Sequence, residues 1–458
     1  MRLHFIAIGG SIMHQLAIAM HHKGYEVSGS DDAVFDPART NLFNLQLLPP
    51  ELGWFPEKID IKIDGVILGM HAKKDNPELL KAQSLGIPVW SYPEFIFRHA
   101  VHKKRIVIAG SHGKTTITSM VMHVLKYWSK KFDYVVGAKL PDFPDSVSLS
   151  EDTPLIVIEG DEYLASPIDT KPKFLYYHPH IALISGIAWD HINVFPTFEG
   201  YVEQFQLFVE SIETGGSLVY YAGDERVATV ASTVKQATPI PYTTPTYEIN
   251  NEVWQLKEGR ETANLQVFGE HNMQNLMGAK LVCALADNIT DPEFYQAIQT
   301  FTGASRRLEL LATSSSCTVY KDFAHAPSKV AATTQAVKSM HPNRKLIACL
   351  ELHTYSSLNA DFLPNYRLTL SPADLAIVFY DPEALAVKKL PAVNPDEIAR
   401  CFNHPNLKVF TNPQSLQNFL LELNYQDSDL LLMSSGNFGG INLDTIAIFA
   451  TQTNSKSN

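Results

Sequence analysis

The sequence predicts an α/β protein built from three parallel-sheet domains. Three observations point there: a length of 458 residues, short apolar runs that alternate with helix-compatible stretches, and one strand that runs into a glycine-bracketed turn and then a helix. A single core rarely grows past about 250–300 residues, and at roughly 150 residues per domain the length suggests about three. The boundaries are placed at residues 1–103, 104–310 and 311–458. With 45% hydrophobic and 19% charged residues, the chain can fill real cores and is no disordered polymer.

The first domain reads from apolar runs at Leu3–Ile8, Tyr25–Ser28, Val66–Met70 and Ile87–Trp90, each short enough for a buried strand. A basic, His-containing stretch, His99–Arg105, marks the first boundary. The second domain follows with strands at Arg105–Ala109, Leu155–Ile158 and Ile181–Ser185, and a Thr- and Pro-rich stretch, Ala237–Glu252, reads as β structure or loops. The third alternates again, with strands at Thr318–Lys321, Leu346–Leu350, Leu375–Tyr380, Leu407–Phe410 and Leu430–Met433. The polar tail Thr451–Asn458 is expected to fray. His14, His21 and His22, on or near the first helix, are expected to face solvent.

Charge and cysteine content narrow the function. A net charge of −11 repels phosphate backbones and anionic lipids, so neither nucleic acid nor membrane is an expected partner. The four cysteines, Cys283, Cys317, Cys349 and Cys401, form no C-x-x-C pair, which suits a reducing compartment. No apolar run reaches the roughly 18 residues of a membrane span, and Met1–Gly10 reads as a strand and glycine turn rather than a signal peptide. A cytoplasmic location is expected.

The strongest motif is Gly110-Ser111-His112-Gly113-Lys114-Thr115-Thr116 after the strand Arg105–Ala109. Ile117, Met120, Val121, Val124 and Leu125 then recur at helical spacing, so the helix's unpaired amides face the turn and favour a phosphate. Lys114 can reach β and γ phosphates, and Thr115 can offer a hydroxyl to Mg²⁺. The usual distal glycine is absent; Ile108 stands there.

Other strand ends carry polar residues where α/β sheets bind ligands. Glu159 closes the strand Leu155–Ile158 and suits a metal. Asp190-His191 follows Ile181–Ser185, and His191 reads either as a second ligand or as a structural histidine. In Gly269-Glu270-His271-Asn272-Met273-Gln274-Asn275, the two amides share a helix face and can read a nucleotide or simply cap the helix. Arg306-Arg307 can supply charge to a phosphoryl group or form a solvated hinge, and Asp322 and His325 sit at another strand end. The turn Ile8-Gly9-Gly10-Ser11 opens like a dinucleotide fingerprint but lacks its third glycine, and Asp31 can hold a ribose or base. From residues alone, an ATP-dependent switch or binding protein and a dehydrogenase remain alternatives to an enzyme that makes a bond.

Taken in order, these motifs resemble the Mur ligase family, ATP-dependent amide ligases of peptidoglycan precursors, over essentially the whole chain. The family's phosphate loop, G-[TS]-x-G-K-[ST], fits Gly110–Thr115 and accounts for Ile108. The resemblance implies an N-terminal Rossmann-like UDP-binding domain, a central P-loop ATPase-like domain and a C-terminal Rossmann-like domain, with ATP and Mg²⁺ as cofactors. It implies Thr115, Glu159 and His191 as metal ligands. It further implies Gly110, Ser111, His112, Gly113, Lys114, Thr115, Thr116, His271, Asn272, Asn275, Arg307 and Asp322 as ATP contacts. Lys114, His191, Arg307 and His325 would be the catalytic set, and Gly9, Gly10, Ser11, Ser30 and Asp31 would hold the UDP of UDP-N-acetylmuramate.

Branches that carry a carbamylated lysine after the Asp-His pair fit poorly, because no lysine lies between Lys173 and Lys235. Two branches remain, one adding L-alanine to UDP-N-acetylmuramate and one adding the tripeptide L-alanyl-γ-D-glutamyl-meso-diaminopimelate. The second resembles this chain more at Glu159-Gly160-Asp161-Glu162-Tyr163, at Ala304–Leu310 and at Met433–Ile441. Instead of the alanine branch's H-R-Y-x-R-T, the chain has His353-Thr354-Tyr355-Ser356-Ser357, without either arginine. The tripeptide branch's E-P-R-S-N-T is Glu351-Leu352-His353-Thr354-Tyr355-Ser356 here, and Asn and Glu before Asp-His are Gly186 and Ala188. His353, Ser356 and Asn437 would then meet the tripeptide. The implied reaction makes an acyl phosphate from ATP and the lactyl carboxylate, which the amine attacks; sequence identifies no base for that amine.

Overall fold

A computed structural model of the chain describes residues 1–140, 142–250, 253–258, 261–304 and 307–452. It divides into two compact units: Met1–Ile187 with Glu199–Thr243 and Leu276–Ile298, and Ala188–Phe198 with Thr244–Asn275 and Gln299–Asn458. Ser305 and Arg306, half of the arginine pair, lie outside the described residues, as do Asn251, Glu252 and most of the tail expected to fray.

The first unit holds two sheets. Four parallel strands run in the order Glu26–Ser30, Arg2–Ile6, Gly65–Leu68, Val89–Ser91. Seven strands form the other, in the order Thr238–Tyr242, Ser217–Tyr221, Ile181–Ile184, Lys104–Ala109, Leu155–Glu159, Asp133–Val135, Val147–Ser148. All its pairs are parallel except the last. The central strands carry wholly buried apolar runs, Ile106–Ala109, Leu155–Ile158 and Ile181–Ile184, as a parallel sheet covered on both faces requires.

The second unit has a three-stranded antiparallel sheet, Thr246–Asn250, Val253–Glu258 and Glu261–Leu265. Its six-stranded sheet runs Glu309–Thr313, Cys317–Asp322, Ser428–Met433, Lys345–Glu351, Leu375–Phe379, Leu407–Phe410. Only the first pair is antiparallel. The five strands expected here lie where expected, within two residues at each end.

Two local expectations change. His14 does not face solvent: eight consecutive residues of helix Ser11–His22, Met13 to Met20, are buried, and His14 is 4% exposed. Its Nδ1 lies 2.9 Å from the Gly10 carbonyl oxygen and its Nε2 3.0 Å from the Gln15 amide nitrogen, while burial lowers its pKa. His21 and His22 are exposed, as expected. The basic stretch at His99–Arg105 is a buried brace as well as a composition shift. Lys103 donates to Asp133 Oδ2 (2.6 Å), the Ser150 carbonyl and Thr153 Oγ1, and the Arg105 guanidinium donates to five backbone carbonyls and to Glu213. Paired in this way, buried cations hold chain ends together without an orphaned charge.

Gly65, in a fully buried strand, lies under the Trp90 ring: a Cβ there would sit 2.0 Å from Trp90 Cζ3. Gly65→Ala should therefore destabilise the protein by about 1–3 kcal/mol through overpacking. Urea unfolding should show a lower midpoint at unchanged slope; an unchanged midpoint would mean that Trp90 swings away freely.

Candidate active site

In the first unit, the buried strand Lys104–Ala109 delivers its carboxyl end to the loop Gly110–Gly113, and helix Lys114–Tyr127 follows at once. Gly110 (φ 128°) and Gly113 (φ 77°) adopt backbone that side-chain-bearing residues rarely take. Space explains Gly110 as well, since a Cβ would lie 2.3 Å from Ser185 Oγ. Ser185 Oγ donates to the Ala109 carbonyl (3.2 Å) and to the His112 carbonyl, and Ser111 N donates to Gly186 O (2.9 Å). The His112 ring covers Gly186, where a Cβ would stand 2.3 Å from Nε2. Gly113 caps the helix without any side-chain bond, so the first-turn amides remain aimed at the loop.

The neighbouring strand end supplies acids. Thr115 Oγ1 donates to Glu159 Oε1 (2.7 Å), and Gly137 N donates to Glu159 Oε2 (2.8 Å). Lys114 Nζ donates to Gly110 O (2.7 Å) and to Glu162 Oε2 (2.6 Å). Glu162 is fully buried, accepting also from Tyr201 OH (3.0 Å), which lies 2.9 Å from Ser111 Oγ. Burial alone would lower the Lys114 pKa; Glu162, Asp161 and Glu159 outweigh it and hold it above the ordinary lysine value. Asp161 also pairs with Lys173 at 2.6 Å. Glu162, Ser185, Tyr201 and Lys173 were missed in the sequence. Only Glu162, three residues after Glu159 in one motif, carried a usable signal.

At the N-terminal turn, Gly9 N donates to Asp31 Oδ2 (2.7 Å) and Ala33 N donates to Oδ1 (3.3 Å). Asp31 is 3% exposed, and burial raises its pKa despite these bonds. The Ser30 carbonyl accepts from Ala7 N and Ile8 N, Gly10 precedes the helix, and Ser11 opens it exposed. The five residues thus lie at the ends of two paired strands, with Asp31 bracing the Gly9 turn from inside.

In the second unit, Asp190 is 8% exposed and lies 3.7 Å from Lys329 Nζ. Burial pushes its carboxyl upward, yet Lys329, His191 and His325 hold it at about 2. His191 follows with φ 54°, and its carbonyl accepts from Val194 and Phe195. Trp189, packed on Phe198 and Phe362, fixes this loop through a bond to the Phe195 carbonyl. His325 Nδ1 lies 2.8 Å from the Phe323 carbonyl oxygen, and Tyr366 OH donates to the His325 carbonyl. Arg307 stacks over Phe323 at 5.2 Å, and Asp322 accepts from Leu308 N and Ala324 N (both 2.7 Å). Burial raises the Asp322 pKa in spite of Arg307. Arg307, Asp322, His325 and Asp190-His191 therefore gather in one unit, together with Lys329, which the sequence did not single out.

Asn272 and Asn275 are buried on one face of helix Glu270–Asp287, as their spacing predicts. Asn272 Nδ2 donates to the Phe268 carbonyl (2.8 Å), and Asn275 Nδ2 donates to Asn272 Oδ1 (3.4 Å). Gly269 (φ 93°) lets the chain turn beneath the His271 ring, 2.7 Å from a Cβ placed there.

The adjacent strands Lys345–Glu351 and Ser428–Met433 end side by side, with Leu350 opposite Met433. Glu351, 2% exposed, accepts from Ser434 Oγ and from Phe438 N (2.8 Å), and Gly436 N donates to Ser434 Oγ (2.7 Å). His353 Nδ1 stands 3.8 Å from Glu351 Oε1 with its side chain 43% exposed. Ser356 is buried and Asn437 exposed.

These parallel sheets, the phosphate loop and the acids beside it define an ATP-dependent, ADP-forming amide ligase of three α/β domains, given what the chain is similar to. Residues 2–104 match the catalytic domain of the Mur ligase family, 108–283 the Mur ligase middle domain, and 306–436 the Mur ligase glutamate ligase domain. A UDP-N-acetylmuramate–L-alanine ligase of Clostridium kluyveri is 31% identical over 78% of each chain. The Haemophilus influenzae UDP-N-acetylmuramate–L-alanyl-γ-D-glutamyl-meso-2,6-diaminoheptandioate ligase is 26% identical over 96% of this chain and 97% of that one. Among solved structures, a murein peptide ligase from Psychrobacter arcticus superposes with TM-score 0.67 (21% identity, 99% of both chains). A UDP-N-acetylmuramate–alanine ligase from Thermotoga maritima gives 0.69 (20% identity, full coverage of both). The chain belongs to the Mur ligase family.

The family works with ATP and Mg²⁺, and the first unit's residues fit both. The Thr115 hydroxyl and the Glu159 carboxylate are hard oxygen donors already within 2.7 Å of each other. The glycine loop admits phosphate oxygens to the backbone, and Lys114 brings a held positive charge.

Burial, with Lys329 adding to it, pushes the His325 imidazole from its ordinary 6.5 to about 4. Below pH 6.5 the unfolded chain therefore binds a proton that the folded one refuses, so this histidine makes stability fall as pH drops from about 6.5 towards 4. NMR titration should find His325 neutral at pH 6, and Lys329→Met should move its midpoint upward. A midpoint near 6.5 in both proteins would remove this electrostatic account.

Proposed function

We propose that the chain joins the tripeptide L-alanyl-γ-D-glutamyl-meso-diaminopimelate to the lactyl carboxylate of UDP-N-acetylmuramate, in murein recycling in the cytoplasm. One observation carries the choice of amine. The segment Met433–Ile441, which resembles the tripeptide branch, wraps the carboxylate of Glu351, the one residue of Glu351–Ser356 that matches that branch's E-P-R-S-N-T. Both therefore belong to a single piece of structure at the ends of adjacent strands.

On this reading the domains fall at 1–103, 104–310 and 311–458. Gly9, Gly10, Ser11, Ser30 and Asp31 take the UDP, while His353, Ser356 and Asn437 meet the tripeptide. The loop Gly110-Ser111-His112-Gly113-Lys114-Thr115-Thr116 cradles the ATP phosphates, and Lys114 offsets the charge of the transferring group. His271, Asn272 and Asn275 contact the nucleotide, and Arg307, Asp322 and His325 are ATP or active-site contacts. Thr115, Glu159 and His191 would hold Mg²⁺, which supplies positive charge at the phosphoryl oxygens.

A carboxylate is a poor electrophile because oxide would have to leave, so its oxygen first takes the γ phosphoryl group of ATP. The acyl phosphate then offers phosphate as the leaving group, and the amine nitrogen replaces it. Orientation and water exclusion are what these residues provide. A second reading, L-alanine as the amine, is favoured by the 31% identity to the alanine-adding relative.

The experiment measures phosphate release dependent on ATP, Mg²⁺ and UDP-N-acetylmuramate, with the tripeptide or L-alanine as amine and the products weighed by mass spectrometry. Release with the tripeptide alone, and its mass in the product, is expected; preference for L-alanine would overturn the choice of amine. Lys114→Ala should cut turnover by about 10²–10³-fold or more with the fold intact. Near-normal turnover would take Lys114 out of the phosphoryl site.

A further inference from the structure

We propose that His353 is the base that removes the proton from the incoming amine, and that Glu351 is the positioning residue behind it. The inference rests on the ligation reading above, though not on which amine is used.

Three observations converge. First, Glu351 is a carboxylate 2% exposed, a burial that calls for hydrogen-bond donors. Ser434 Oγ and Phe438 N both bond to Oε2, leaving Oε1 towards the histidine. Second, His353 presents Nδ1 to that oxygen at 3.8 Å, so Nε2 is the nitrogen turned away, on a side chain 43% exposed. A half-exposed imidazole backed by a buried carboxylate is the arrangement that orients a base and offsets the charge it acquires. Catalytic hydrogen bonds are often long before substrate arrives, so 3.8 Å suits the role. Third, Gly436 presses on both groups: a Cβ there would come within 2.8 Å of Glu351 Oε2 and of His353 Cγ and Nδ1. The backbone closes on the pair from one side.

The pair lies at the carboxyl ends of adjacent parallel strands, the edge where α/β sheets take their ligands. The chemistry demands such a group. An amine is an ammonium ion at neutral pH and has no lone pair until one proton leaves. His353 Nε2 takes that proton; the free nitrogen then bonds to the acyl carbon, and the carbon–oxygen bond to phosphate breaks with its electrons on oxygen. The leaving phosphate takes the second nitrogen proton, and His353 releases the first to solvent.

Hydroxylamine tests this, because its nitrogen is unprotonated at neutral pH and needs no base. With the amine saturating, His353→Gln should lower the kcat of amide formation by about 10²–10⁴-fold while ATP- and UDP-N-acetylmuramate-dependent hydroxamate formation stays near the wild-type rate. Glu351→Gln keeps an acceptor for Ser434 and Phe438 and should show a smaller loss with the same selectivity; Glu351→Asp should restore part of it. A parallel fall of both products in the folded variants, or amide formation at the wild-type rate, would overturn the assignment. Wild-type protein that makes no hydroxamate at all would instead overturn the ligation reading, a result told apart because it precedes any substitution.

Discussion

Everything in the first unit's loop depends on how one ammonium group is kept charged where water is scarce. Lys114 sits at the start of a helix whose dipole opposes a cation, and burial opposes it further. Glu162 at 2.6 Å, with Asp161 and Glu159 nearby, reverses that balance. The consequence reaches beyond the lysine. Three carboxylates, Glu159, Asp161 and Glu162, stand against two lysines, Lys114 and Lys173, so a polyphosphate entering there meets negative charge that the lysines do not fully offset. A divalent cation beside Thr115 and Glu159 would meet that need, in keeping with the family's use of Mg²⁺.

The loop's shape is likewise set by residues far away in the chain. Ser185 and Gly186 grip the carbonyls and amide of Ala109, Ser111 and His112 from the next strand. Two glycines, Gly110 and Gly186, permit contacts that any Cβ would break. Gly186 gives its space to the His112 ring, so the loop and the strand end beside it pack as one piece.

Much of this was legible because it is local. The phosphate loop, its helix and Glu159 lie within single periodic segments, and the strand order of an α/β sheet puts their carboxyl ends together. Partners contributed by distant segments were not legible. Lys329 lies in the first turn of helix Pro327–Met340 and shows its meaning only against Asp190. His14 misled because the helix Ser11–His22 is covered nearly all round, so period alone does not give its exposed face. The sheet of Thr246–Asn250, Val253–Glu258 and Glu261–Leu265 was only half visible: its first strand is largely exposed, and the alternation that buries Trp254, Leu256, Ala263 and Leu265 runs over stretches too short to stand out.

The same division separates the two halves of the reaction. Phosphoryl transfer asks for amides, a lysine and oxygen ligands, all of which one strand-loop-helix and its neighbour supply. Amine attack asks for a nitrogen stripped of its proton, and no single segment supplies that. Glu351 and His353 come from one strand end, Ser434, Gly436 and Phe438 from another, and only their adjacency in the sheet makes a buried carboxylate with an imidazole before it. Because Gly436 closes on both groups, a change at any one of these positions disturbs the others. Recognition of the amine and its activation are therefore a single structural variable, separable from the nucleotide chemistry that the family shares.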